Sequence, residues 1–236
     1  MNRKHRNLGN RLRLCASFVR YHAKICDVGT DHAYLPIWLV RHGIVVSALA
    51  CDVRENPLAI AKENIAHCGY QQMISTRLSN GLSAVESDEA DDIIIAGMGG
   101  DLIAQIVTET PWLYNPQKHL ILQPMTKPSR LRCVLLKHGF ELLQEKAIFD
   151  EHRVYTVMLY RYNPKKVSFN VSSIYVGGLS GKNEAEREYL KRQENYLSHC
   201  LVGRLHSGKD TDIETLHQAL EKIQKILDLT AKEDSK

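Results

Sequence analysis

The stretch Asp27-Val28-Gly29-Thr30-Asp31-His32-Ala33-Tyr34 gathers two carboxylates, an imidazole and a phenol around a single glycine. A short apolar run ending in Ile25-Cys26 precedes it, and an amphipathic segment opens near Tyr34. Strand, glycine turn and helix in that order direct backbone N–H groups into the crevice at the carboxyl end of the strand. A carboxylate there accepts hydrogen bonds from ribose hydroxyls or from an amino group. Asp52 ends a second apolar run, Ala48–Cys51, and is followed by Val53; it lies 25 residues after Asp27, near the interval of about 20 at which nucleotide-binding α/β folds carry their ribose-binding acid. An exposed Asp opening a loop would look the same. Asn80-Gly81 follows a third apolar run; the amide can read adenine N6 and N1, and as a dipeptide it is also an ordinary turn. Ile95-Ala96-Gly97-Met98-Gly99-Gly100 ends the most strand-like run of all. It gives either a flat backbone floor open to a ligand or a tightly packed hinge.

The glycine pattern separates two ligand classes. A pyrophosphate needs bare backbone at each position of G-x-G-x-x-G, but after Gly29 the next two positions are Asp31 and Tyr34. A carboxylate would repel a pyrophosphate, whereas a sulfonium tolerates or favours extra acid. The stretch therefore points to S-adenosylmethionine rather than to a nicotinamide dinucleotide.

These residues need a scaffold that brings strand ends together. A short basic helix around Leu8–Val19 comes first. Strands then follow at about Lys24–Val28, Ala48–Asp52, Met73–Leu78, Asp91–Ala96 and His119–Gln123. Helices follow at Tyr34–His42, Asn56–Cys68 (Asn56 as cap, Pro57 in the first turn), Leu102–Val107 and Ser129–His138. Two strands, Glu141–Phe149 and Val154–Tyr162, close the series. Such alternation predicts an α/β fold with a parallel sheet, right-handed crossovers and one antiparallel strand. That pattern resembles the Rossmann-like class I methyltransferase fold, expected over residues 1–163. Gln123-Pro124 should line the far side of its crevice.

Residues 164–236 change character. Ile213, Leu216, Leu220, Ile223 and Leu227 alternate three- and four-residue steps, a coiled-coil seam. Leu190, Leu197, Leu201 and Leu205, flanked by Tyr189 and Tyr196, make a second stripe. A turn at His206–Asp210 predicts an antiparallel α-helical hairpin, in a monomer or a weak homodimer.

Charge is uneven. Residues 1–26 hold seven Lys/Arg and no acid, and a second acid-free stretch, residues 110–140, carries Lys118, Lys127, Arg130, Arg132 and Lys137. Two basic patches on a near-neutral body suit a polyanion such as nucleic acid, although a solvated surface of uneven charge has the same composition. The expected phosphate contacts are Arg3, Lys4, Arg6, Arg11, Arg13, Lys127, Arg130 and Arg132. No apolar run reaches the roughly 18 residues of a membrane span. The six scattered cysteines lack a Cys-x-x-Cys pair and read as reduced core residues of a cytoplasmic protein without a metal site.

The motifs Asp27–Pro36, Ile95–Gly100 and Leu120-Ile-Leu-Gln-Pro124, at these distances, closely resemble the TrmK family, bacterial enzymes that methylate N1 of the adenine at position 22 of tRNA. The resemblance spans the chain, because family members also end in a helical hairpin. It implies that Asp27, Gly29, Asp52, Asn80, Gly97 and Met98, with their neighbours Val53, Gly81, Ala96 and Gly99, contact S-adenosylmethionine. It also implies that Asp31 stands near the target base of a tRNA. Asn80 occupies a position where relatives commonly have Asp. His32 and Tyr34 are candidates to bind or stack on the base, with a backbone-bonded turn residue as the other reading of His32. The alternatives are a methyltransferase for another RNA or a small molecule, and a noncatalytic RNA-binding protein that keeps the fold.

Overall fold

The structure, a computed structural model, describes residues 8–165, 171–207 and 213–233. Arg3, Lys4, Arg6 and the Gly208–Asp210 part of the expected turn lie outside the described residues, as does the side chain of Leu205.

Seven strands form one sheet: β1 (Ala23–Val28), β2 (Val45–Asp52), β3 (Ile74–Leu78), β4 (Asp92–Gly99), β5 (His119–Thr126), β6 (Phe140–Asp150) and β7 (Arg153–Tyr162), in the order β3-β2-β1-β4-β5-β7-β6. The first five are mutually parallel, and β7 runs antiparallel between β5 and β6. The chain winds outward in opposite directions from β1 and β4, so their carboxyl ends open a crevice at the switch point.

Strand alternation decides what each face buries. Ile93 and Ile95 of β4 join Cys26, Leu49 and Leu120 on one face, whereas Ile94 joins Ile25, Ala48 and Ile121 on the other. All three isoleucines are fully buried, as expected of a central strand covered on both sides. Helices α1 (Asn10–Ala16), α2 (Tyr34–Arg41) and α3 (Glu55–Cys68) cover the Ile94 face; α4 (Gly100–Thr108) and α5 (Pro128–Lys137) cover the other. Just past α1, Arg20 donates from its backbone N (2.8 Å) and Nε (2.7 Å) to the buried carboxylate of Asp92. This pins the chain at the edge of the sheet opposite the crevice.

Three local expectations change. Arg54, extended, precedes α3, so Asn56 lies within the first turn rather than capping it. Strand β4 continues through the glycines to Gly99, and β5 continues past Pro124 to Thr126. A bulge makes both extensions possible, because the β4–β5 register jumps between Ala96 and Met98 and again before Gly99. An unexpected helix, α6 (Val171–Val176), precedes the long pair α7 (Glu184–Ser207) and α8 (Ile213–Glu233).

The seam residues Leu216, Leu220 and Ile223 pack with Leu190 and Leu197 of α7, Val176 of α6 and Ala147 of β6. The seam is thus covered within the chain. Tyr189 is buried there, whereas Tyr196 is exposed. All six cysteines are free, and three of them are buried.

Candidate active site

The turn after β1 is held to β2 by two hydrogen bonds, from Gly29 N (2.8 Å) and Thr30 N (2.9 Å) to the carbonyl of Cys51. Gly29 has a φ of +73°, a conformation that favours glycine, whereas a Cβ there would meet only the flexible end of the Met98 side chain. Asp31 (φ +55°) and Ala33 (φ +57°) also adopt the left-handed conformation. Asp tolerates it better than Ala, and non-glycine residues in this region cluster where backbone strain is put to use.

The two acids in this turn have opposite environments. Asp27 is buried beneath it and accepts a 2.7 Å hydrogen bond from Thr30 Oγ1. Burial pushes its carboxyl up to about 6, and the charge of Asp52 adds to the effect. Asp31 leaves 62% of its side chain exposed and has His32 Nε2 3.6 Å away. The His32 ring lies edge-on to Tyr34, centroids 5.4 Å apart. Its Nδ1 is buried without a hydrogen-bond partner among the described residues, while Asn64 Nδ2 donates to its carbonyl (3.0 Å).

At the end of β2, buried Asp52 accepts from Arg54 N (2.9 Å), with Arg54 Nε 3.7 Å away. After β3, Ser79 Oγ donates to the Gly81 carbonyl (2.9 Å), which leaves Asn80 exposed. A cavity of about 260 Å³ joins these strand ends. Of the expected residues it is lined by Gly29, Asp31, Asp52, Val53, Asn80, Gly81, Ala96, Gly97 and Met98. Asp27 is not in the lining but under it. His32 and Tyr34 stand beside the cavity, not in its wall.

Gly99 is not in the wall either. A Cβ on it would lie 3.3 Å from Thr126 Oγ1, and one on Gly100 would meet the carbonyls of Lys127 and Thr126 at 2.6 and 2.8 Å. These two glycines let α4 start hard against the end of β5, whereas Gly97 (φ +81°) forms the bare floor. Tight packing accounts for Gly99 and Gly100, while Gly97 lines the cavity. Sequence reasoning missed Leu102 and Ile106 of α4, which line the cavity. The detectable signal was Leu102, a large apolar side chain on the solvent side of its helix.

Gln123 is fully buried at the end of β5. Its Oε1 accepts from Gly97 N (3.0 Å) and from Arg11 Nη1 (2.6 Å), and its Nε2 donates to the Pro124 carbonyl (3.0 Å). The guanidinium of Arg11 is therefore engaged inside the fold.

The basic patches are smaller than the sequence suggests. Arg132 is fully buried: it pairs with both oxygens of Glu145 (2.6 and 3.2 Å) and donates to the Ile174 carbonyl (2.9 Å) and Tyr189 Oη (3.1 Å). It cannot reach a phosphate, because it lies on the face of α5 turned toward β6. Lys118 is also buried and donates to the carbonyls of Ser87 and Ala90. Arg13 is exposed. Lys127 and Arg130 keep most of their side chains in solvent while sharing Asp101, each at 2.5 Å, and the hydrogen bond from Lys127, with that from Arg130 and their charges, holds that carboxyl below the usual range.

The site fits a cationic nucleoside ligand. Two buried carboxylates end adjacent strands, and no cation among the described residues pairs with Asp27. The exposed carboxylate of Asp31 lines the same cavity, where it would repel a pyrophosphate. Sheet order and site together define a class I, S-adenosylmethionine-dependent methyltransferase. Residues 8–158 match the family described as "Methyltransferase domain".

The chain is 28% identical over 231 residues to the tRNA (adenine(22)-N(1))-methyltransferase of Bacillus subtilis strain 168, covering 94% of this chain and 97% of that protein. It superposes with a TM-score of 0.78 on Streptococcus pneumoniae Sp1610, a candidate tRNA (m1A22) methyltransferase solved with S-adenosyl-L-methionine. Identity there is 32%, over 94% of this chain and all of that one. On M. capricolum TrmK, solved with S-adenosyl-homocysteine, the TM-score is 0.74 at 27% identity, over 94% of this chain and 99% of that one. The chain belongs to the TrmK family.

Proposed function

We infer that this protein transfers the methyl group of S-adenosylmethionine to N1 of the adenine at position 22 of tRNA, in the cytoplasm. The observation that carries the reading is the cavity at the switch point. One space collects an exposed carboxylate (Asp31), a buried one (Asp52) and a bare peptide floor (Gly97) from three strand ends.

When bound, S-adenosylmethionine supplies an electrophilic methyl group. Asp52 would hold its ribose hydroxyls and Asn80 its adenine edge, with Gly29 and Gly97 giving backbone access and Asp27 supporting the turn from below. Adenine N1 carries its lone pair in the ring plane and needs no base to free it. The protein's task is alignment. Because N1 lies on the Watson–Crick edge, the base must leave its stack first. Asp31 then accepts a hydrogen bond from N6 and offsets the positive charge that develops on the ring. His32 and Tyr34 flank Asp31 and support the base. Arg13, Lys127 and Arg130 meet tRNA phosphates.

Mass spectrometry of bulk tRNA from a deletion strain tests the reading: 1-methyladenosine should disappear and return with the wild-type gene. Unchanged 1-methyladenosine would overturn it. Calorimetry should show binding of S-adenosylmethionine and none of NAD.

A further inference from the structure

Arg11 was expected among the phosphate contacts, yet the fold uses its guanidinium elsewhere. Only 22% of the side chain is exposed. Its Nη1 donates to Gln123 Oε1 at 2.6 Å, its Nε lies 3.6 Å from Asp150 Oδ2, and its central carbon sits 5.9 Å from the Tyr155 ring centroid. A Cβ placed on Gly97 would lie 3.4 Å from Arg11 Nη1. One cation thus touches the ends of β4, β5, β6 and β7. The start of α1 is fixed beside it, with Asn10 N donating to Asp150 Oδ1 (3.1 Å) and Asn10 Nδ2 to the Phe149 carbonyl (3.0 Å).

The partner explains the placement. At the β4 bulge, Gly97 drops out of the ladder, because Ala96 pairs with Gln123 and Met98 with Pro124. A bulged residue loses its strand partner, so the Gly97 N–H turns to the Gln123 side chain (3.0 Å). Gln123 Oε1 therefore accepts two hydrogen bonds, and the charge-assisted one from Arg11 is the stronger and more directional. It fixes the amide so that the carbonyl side faces Gly97. Gln123 Nε2 supports the same orientation through the Pro124 carbonyl (3.0 Å), so losing Arg11 removes the strongest of these restraints and loosens the amide.

We propose that Arg11 is a positioning residue for methyl transfer. Through Gln123 it locks the Gly97 bulge, and with it the floor on which donor methyl and acceptor nitrogen must line up. The rate consequence rests on the function inferred above; the effect on the bulge does not.

The test compares Arg11→Met, Gln123→Met and the double variant in the full-length protein. Arg11→Met should lower kcat at saturating tRNA by about tenfold or more, because small misalignments carry large rate costs. Its tRNA Kd should stay within about twofold, and the slope of log Kd against log salt should not change. The double variant should be no slower than Gln123→Met alone, since the two side chains act in series. Independently of any methyl acceptor, amide hydrogen exchange over residues 95–100 should speed up in Arg11→Met. Gln123→Glu keeps the acceptor for both partners but turns the donor to the Pro124 carbonyl into a second oxygen, so its exchange should fall between wild type and Gln123→Met. If Arg11→Met does not fold, Arg11→Gln carries the same measurements, because a neutral amide removes the charge-assisted bond to Gln123 while keeping a polar side chain beside Asp150.

Unchanged kcat with weaker tRNA binding and a salt slope shallower by about 1 would make Arg11 a phosphate contact and overturn the proposal. Unchanged exchange over 95–100 would overturn it whatever the tRNA result. Wild-type protein inert on tRNA would instead count against the inferred function and leave the exchange result to decide the bulge.

Discussion

Asp27 and Asp31 stand four positions apart in the chain, one buried and one largely exposed, and we propose that they do different work. Burial raises the Asp27 carboxyl to about 6 from its ordinary 3.8, so the folded state holds that proton more tightly than the unfolded chain. The sign follows: this group's contribution to stability is greatest below about pH 4, declines as pH rises to about 6, and is unfavourable above that. Asp27→Asn should stabilise the ligand-free protein at pH 7.5 by on the order of 2 kcal/mol. The gain should shrink toward pH 4 in urea titrations, and affinity for the cationic cofactor should fall. Asp31 is largely solvated, and its removal should leave cofactor affinity within about twofold while methyl transfer drops roughly a hundredfold, the scale of losing one charge-stabilising contact. Near wild-type transfer by Asp31→Ala would exclude that role. The residue types and their spacing announced these acids and Gly29. Their division of labour was only partly legible, because which carboxylate is buried depends on a left-handed turn at Asp31 and Ala33 that no local residue preference dictates.

Among the elements, the β4–α4 junction and α5 carry most of the new information. Gly100 exists for packing, since a Cβ would strike two backbone carbonyls. Gly100→Ala should lower stability by about 1–3 kcal/mol, read as a shift in the denaturation midpoint. Arg132→Met leaves Glu145 buried without its cation, and should cost about 3–5 kcal/mol, with partial recovery when Glu145 is also made apolar. The strand order and the helix for each crossover were readable from hydrophobic period. Three features were not. The bulge at Gly97 arises from pairing with β5, which lies distant in sequence. The burial of Arg132 and Lys118 arises from which side of an element meets its neighbour, which charge counting ignores. Helix α6 is too short to leave a periodic signal of its own.

At the scale of the molecule, we read residues 164–236 as an appended helical unit on the methyltransferase domain of 1–163. Its seam is covered by α7 and α6 of the same chain, and we propose a monomer, which light scattering at micromolar concentration should report as a single species of about the 26.8 kDa chain mass. Among the described residues no helix is long and apolar enough to cross a membrane. Of the expected phosphate contacts among the described residues, Arg13, Lys127 and Arg130 are exposed, and we propose that they meet tRNA phosphates. Replacing Lys127 and Arg130 together should weaken tRNA binding and flatten its salt dependence by about 1–2 in slope. The central claim is the reaction itself. Purified protein, S-adenosylmethionine and two tRNA transcripts that differ only at position 22 test it most directly, with the methylated base mapped by nuclease digestion and mass spectrometry. The prediction is 1-methyladenosine at position 22 of the A22 transcript and no methylation of the G22 transcript. Methylation elsewhere, or equal methylation of both transcripts, would contradict it.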